Sequence, residues 1–174
     1  MSIDAFRVFE EDTLLVRFSR FRKGGFTLGR EDHMNSPWWL TIDMFTWLMG
    51  RAHASARGTQ AVVREQLLLP PEWTDADCFV RAFPKPGIHL GAWFGKPRTV
   101  YQQDKHGPAH RWTAARGQPE TFMYQLFVPG LGARPAVNAR NWLEFEGLYS
   151  LVAKPGRRGQ AVYPCMIPGK QHGA

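Results

Sequence analysis

Residues 96–117, KPRTVYQQDKHGPAHRWTAARG, gather five Lys/Arg, two histidines, Tyr101 and Trp112 against one acid, Asp104. Residues of these types in one stretch suit two chemistries. Single-stranded nucleic acid is held by cations along its phosphates and by flat groups on which bases stack, each stacked base being worth ~1–3 kcal/mol. Lys96, Arg98, Lys105, Arg111 and Arg116 supply the cations, Tyr101 and Trp112 the rings, and the adjacent pair Arg111-Trp112 offers both. Two more basic turns extend the set: Arg20, Arg22 and Lys23 before Gly24-Gly25, and Arg157-Arg158 after Pro155-Gly156. The other chemistry is metal-independent RNA cleavage. It needs a base for the 2′-OH proton, an acid for the leaving oxygen and a cation for the phosphorane charge. His106 and His110, flanked by Lys105 and Arg111, have those types.

A second enzymatic pattern lies in "LEFEG", where Glu144 and Glu146 form Glu-x-Glu, with Arg17 on an early apolar run, "LLVRF". This resembles the arginine-directed ADP-ribosyltransferases. The resemblance implies that one Glu orients a nicotinamide ribose, the other engages the acceptor, and Arg17 plays the part of the early-strand arginine. The family's Ser-Thr-Ser strand motif has no counterpart here.

Other chemistries lack their residues. "GAWFGKP" has three residues between its glycines and Pro97 after the lysine, where a phosphate loop needs four residues and Ser or Thr. No G-x-G-x-x-G fingerprint and no G-x-S-x-G elbow occurs. His106 and His110 are four apart, but Gly107-Pro108 breaks the helix that would align them on one metal. Glu31-Asp32-His33 are adjacent and need a special turn to converge. Cys78 and Cys165 are isolated in apolar surroundings, which predicts inert buried thiols. No metal and no cofactor is expected.

Charge points the same way as the basic turns. Of the formal +7, residues 1–58 hold eight Lys/Arg against seven acids and residues 59–174 fourteen against eight, so an anionic partner is drawn to the second part. With 174 residues, 44% apolar and 21% charged, the chain suits one globular domain, residues 1–174, with 168–174 expected to fray. The first residues carry acids where a secretory signal carries bases. The most apolar run, "PWWLTIDMFTWLM", is thirteen residues against the ~20 that span a bilayer. A cytoplasmic location and no membrane contact are the expectations.

The elements that must position these residues read as α+β. "AFRVF" and "TLLVRF" alternate around Glu10-Glu11-Asp12 and predict an N-terminal hairpin. Ser36-Pro37 reads as a helix start, and a helical hairpin is expected over about 36–69, ending at Pro70-Pro71. Its first helix, 36–49, carries two apolar stripes, one with Trp38, Ile42, Phe45 and Met49, the other with Leu40, Met44 and Trp47. The second stripe is a candidate docking face for a protein partner. From about 78 to 167, short runs separated by Gly and Pro predict a mostly antiparallel sheet, with 142–153 readable as strand or helix. The sequence thus points first to a protein that binds RNA or single-stranded DNA, with a small subunit of a larger ribonucleoprotein or DNA-processing assembly as one form of that expectation. The alternatives are an interaction subunit docking through helix 36–49, and a small nuclease or nucleotide-transfer enzyme.

Overall fold

Burial on one face or on two decides where each strand sits. The computed structural model describes residues 2–69, 73–97, 100–102, 110–112, 123–132 and 138–151. Strand β1 (Ser2–Phe9) leaves Ile3, Phe6 and Val8 exposed and takes an edge, whereas β2 (Leu15–Ser19) buries Leu15 and Val16 on opposite faces and lies inside the sheet. After β2 comes a two-residue hairpin, β3 (Arg22–Lys23) and β4 (Phe26–Thr27), joined by Gly24 and Gly25. Both glycines have positive φ, 57° and 86°, which a primed hairpin turn requires and side chains resist. Helix α1 (Arg30–Met34), strand β5 (Trp38–Thr41), helices α2 (Ile42–His53) and α3 (Thr59–Gln66) and strands β6 (Cys78–Pro84) and β7 (Leu90–Lys96) follow. The chain continues through a small ladder of β8 (Val100–Gln102) with β9 (His110–Trp112), then β10 (Gln125–Phe127) and β11 (Leu143–Ser150).

Among the described residues the main sheet has seven strands in the order β1-β7-β10-β5-β2-β6-β11, every neighbour antiparallel. The α+β class is therefore as the sequence predicts. One face carries a core running through Leu15, Val80, Ala82, Leu90, Ala92 and Leu126, closed by Met34 of α1 and by Leu131 and Ala139. The other face is covered by the α2–α3 hairpin: Leu48, Ala52, Val62 and Val63 pack on Val16, Phe18, Leu40, Phe79 and Tyr149. No helix among the described residues is long and apolar enough to cross a membrane.

Two expectations need correction. Strands β1 and β2 exist but do not pair with each other, since β1 joins β7 and β2 lies between β5 and β6. The link from Glu10 to Leu14 is turned by the Thr13 N–H donating to the Glu10 carbonyl, but the partners of both strands are long-range ones, which local alternation does not record. The helical hairpin begins at Ile42 and not at Ser36. Trp38-Trp39-Leu40-Thr41 is aromatic and branched and pairs as β5. Thr41, not Ser36, caps α2, its Oγ1 accepting from the Met44 N–H at 3.4 Å. Residues 143–150 are strand. The stretch 159–167 and the tail 168–174 lie outside the described residues.

The supposed docking stripe dissolves with that boundary. Leu40 belongs to β5 and is buried under the helices, Met44 is half-buried between the two cores, and Trp47 alone is exposed, with the Arg51 guanidinium 4.7 Å from its ring centre. These three residues do not share one helix face.

Candidate functional site

Strands β2 and β5 pair only at Leu15 with Thr41 and Val16 with Leu40. Beyond Val16, β2 continues to Ser19 against β6, while β5 runs back to Trp38 against β10. The sheet forks there, and the fork opens a cleft of about 370 Å³. That volume suits a small organic ligand, near the lower end of the ~300–1,000 Å³ range of such sites.

One bank is β2 and the segment after it, bringing Arg17, Phe18, Arg20 and Lys23. The opposite bank is residues 35–40 with Gln125 of β10 and Gly132. Leu67, Leu69, Trp73 and Thr74 form the remaining wall. The second bank is fixed by short contacts: the Gly132 N–H donates to Asn35 Oδ1 at 3.1 Å, and the Val128 N–H to the Pro37 carbonyl at 2.7 Å. A side chain at position 132 would meet Ser36 Cα and Pro37 Cδ, each at 3.1 Å, and φ there is +75°, so only glycine lets the two segments approach this closely.

Three tryptophans line the cleft in three different states. Trp39 is buried and spends its indole N–H on the Ser36 carbonyl at 2.8 Å, so it is a wall. Trp38 is half-buried, with its ring 5.0 Å from that of Phe127. Trp73 is exposed. Gln125 is buried and donates from Nε2 to the Leu67 carbonyl at 2.8 Å, tying β10 to the end of the helical hairpin.

The electrostatics are one-signed. Arg17, Arg20 and Lys23 line the cleft, and no Asp or Glu is among its described lining residues. Burial brings the Arg17 guanidinium down to about 10; Cys78 opposes that shift and the charge of Arg20 adds to it, so Arg17 stays protonated at neutral pH beside a like charge. Arg17 donates to the His33 carbonyl and keeps part of its surface on the cleft.

Behind Arg17 lies a polar cluster that the sequence does not announce. The His33 ring, buried and 2.9 Å through Nδ1 from the Ser19 hydroxyl, is pushed below the usual histidine range by burial and then by Arg17. Cys78 is fully buried and its thiol is pushed up, first by burial and then by Asp77, so it is inert. Ser19 and His33 are buried and do not line the cleft, and it is the His33 carbonyl that accepts from Arg17. Glu31, Asp32 and His33 point three ways: Glu31 to Arg140 and Asn138, Asp32 to the Gly29 N–H, His33 inward. No cluster that would hold a metal occurs among the described residues.

Of the residues singled out in the sequence, Arg20 and Lys23 reach the cleft, and Arg22, exposed on β3, does not line it. Lys96 is half-buried at the end of β7, its Nζ 5.0 Å from the Tyr124 ring centre. Tyr101, His110, Arg111 and Trp112 fall on the β8–β9 ladder, where Tyr101 pairs in register with Arg111 and Gln102 with His110. Arg98, Lys105, His106, Arg116, Arg157, Arg158 and Cys165 lie outside the described residues. Glu144 and Glu146 stand on β11, the far edge, with β6 between them and β2. Glu146 is held by the Tyr149 hydroxyl at 2.8 Å and by Arg81 Nε at 3.1 Å, and the Tyr149 hydroxyl is pushed up by burial and by that carboxylate. The Glu-x-Glu pair and Arg17 are therefore not brought together, which overturns the shared site that the resemblance implied.

Sequence reasoning passed over Trp73 and Gln125 and placed Trp38 on a helical stripe when it belongs to β5. The signal was the adjacent pair Trp38-Trp39: on a strand, neighbours point to opposite faces, so two large rings cannot both enter one core. No family model, no curated protein and no solved structure matches the chain.

Proposed function

We propose that the protein binds nucleotides, as units of RNA or single-stranded DNA, in the cleft at the fork of its sheet. The observation that supports this reading is the composition of one cleft: Arg17, Arg20 and Lys23 with Trp38 and Trp73, and no described carboxylate. Phosphate is met by Arg20 and Lys23 near the mouth, with Arg17 behind them, and a base is met by an indole face. Calorimetric titration with adenosine and uridine monophosphates tests it. The expected result is binding that weakens with salt and falls roughly tenfold or more in the double variant Arg20→Gln, Lys23→Gln, in keeping with the loss of hydrogen bonds to charged groups. Binding of the unphosphorylated nucleosides as tight as that of the monophosphates would refute it.

The alternative of transfer from a dinucleotide in the manner of the ADP-ribosyltransferases keeps only one of its residues, Arg17, at the cleft. The cleft residue contributed by β10 is an amide, Gln125, which cannot serve as a general base, and Glu144 and Glu146 are elsewhere. Nicotinamide release from NAD by the wild-type chain, lost on Arg17→Lys, establishes this reading; no release removes it. The nuclease reading rests on His106 and His110, and RNA cleavage unchanged in the His106→Ala, His110→Ala double variant disposes of it.

A further inference from the structure

Four aromatic residues stand in one register row across four neighbouring strands: Trp38 of β5 opposite Phe127 of β10, Phe127 opposite Trp93 of β7, and Trp93 opposite Phe6 of β1. Side chains directly opposite each other in antiparallel strands lie on the same face. The rings touch at both ends of the row, with 5.0 Å between the centres of Trp38 and Phe127 and 5.0 Å between those of Phe6 and Trp93. At ~4.8 Å per strand the row is ~14 Å long. It starts in the cleft, since Trp38 lines it, and ends at the edge strand β1 with Phe6, 52% exposed, next to Trp93 of β7, 38% exposed. This is the face that the α2–α3 hairpin covers over β2 and β6, but the helices' apolar side chains pack on Val16, Phe18, Leu40, Phe79 and Tyr149, not on this row.

The residues around Trp93 keep the row open. Gly91 and Gly95 are its same-face neighbours along β7, so the motif "GAWFG" sets one indole between two positions without side chains. Phe6 uses that space: a Cβ at position 91 would lie 2.7 Å from Phe6 Cζ, so the ring rests on the glycine backbone. A contiguous exposed apolar surface marks an interaction site, and here it is a row of aromatic rings, inclined to one another by 65° at Phe6–Trp93 and 58° at Trp38–Phe127, that leads out of a cation-lined cleft in a chain of formal charge +7.

We propose that this row is a base-stacking track, on which a single-stranded nucleic acid runs from the cleft across Phe127 and Trp93 to Phe6. The inference rests on the cleft reading for where the strand starts. Aromatic rings accept any base by its π face, so the track reads no sequence, and Arg20 and Lys23 hold the strand at its cleft end.

The test is fluorescence anisotropy of end-labelled oligouridylate and oligothymidylate of one, two, four and six nucleotides with the full chain, its Trp93→Leu and Phe6→Ser variants, and the Arg20→Gln, Lys23→Gln variant. Positions 6 and 93 are exposed, and Trp93→Leu keeps apolar bulk while removing the stacking plane, with circular dichroism confirming the fold. Wild-type affinity is expected to rise at least tenfold from one to four nucleotides, and Trp93→Leu to abolish most of that rise while leaving mononucleotide affinity unchanged. Failure of the cleft alone has its own signature: mononucleotide binding absent and the Arg20→Gln, Lys23→Gln variant harmless, while Trp93→Leu still weakens the hexanucleotide. An affinity independent of length, or a hexanucleotide bound equally by Trp93→Leu and wild type, overturns the track. Loss of a self-associated form in Phe6→Ser with oligonucleotide binding intact overturns it in favour of a protein interface.

Discussion

Phe79 and Trp93 project from the same face of one sheet, yet Phe79 is 5% exposed and Trp93 38%. Over β2 and β6 the face is covered by Leu48, Ala52, Val62 and Val63 of the helical hairpin, and its residues are a mixed apolar set that behaves as ordinary core. Over β7 and β1 the described helices do not reach, and over β10 only the end of the hairpin does, at Gln125; the row there is aromatic, with glycines beside Trp93. The lesson is that one alternating pattern serves two ends. Where a second layer covers it, the apolar positions stabilise the fold; where none does, the same positions become a surface whose rings are available to a ligand.

The largest effect expected comes from breaking the covered half. Phe79 packs on Phe45, with 4.6 Å between ring centres, and stacks on Tyr149 at 5.0 Å, so Phe79→Ala should lower stability by ~3–5 kcal/mol. Phe6→Ala on the bare half should change it by less than ~1 kcal/mol. Urea denaturation of the two variants reads both, and equal losses would show that the bare half is core. Next in size is the cap of the covering layer: Thr41→Ala should cost ~1 kcal/mol, measured the same way.

A pH effect follows from the cluster behind the cleft. His33 has its pKa lowered in the folded chain, so below its unfolded value of 6.5 the unfolded chain takes up a proton that the folded chain resists. The stability tied to His33 is therefore complete above pH 6.5 and declines as the pH falls below it toward the lowered folded value. Denaturation midpoints at pH 7.5 and 5.5 should show the decline, and His33→Gln should reduce it. The smallest effect is at Gly91. A methyl there displaces the Phe6 ring, so Gly91→Ala should weaken hexanucleotide binding less than Phe6→Ser does and leave mononucleotide binding alone.

The sequence showed the class of fold and most strand positions because alternation and Gly/Pro punctuation are local signals. It misplaced the start of the helical hairpin because Ser36-Pro37 resembles a cap, while the deciding fact, that Trp38 to Thr41 pair with β2 and β10, is long-range. The N-terminal hairpin failed for the same reason: β1 finds its partner in β7, over eighty residues away in the chain. The basic turn Arg20-Phe21-Arg22-Lys23 was legible as cationic, and two of its three cations do line the cleft. The cleft itself was not legible, because it exists only where β2 and β5 part, and neither strand carries a mark of that. The aromatic row escaped because its four members come from four strands whose order no local pattern records.

The most direct test uses the indole N–H signals of the seven tryptophans, assigned by single Trp→Phe variants, in a two-dimensional 1H–15N spectrum during titration with a hexanucleotide. Trp47 is as exposed as Trp73 but sits on α2 over the covered half, so it is the internal control. Binding through the fork and along the row should move the signals of Trp38, Trp73 and Trp93 and leave Trp47 in place. Shifts at Trp47 with none at Trp38 and Trp73 would contradict a nucleotide in the cleft.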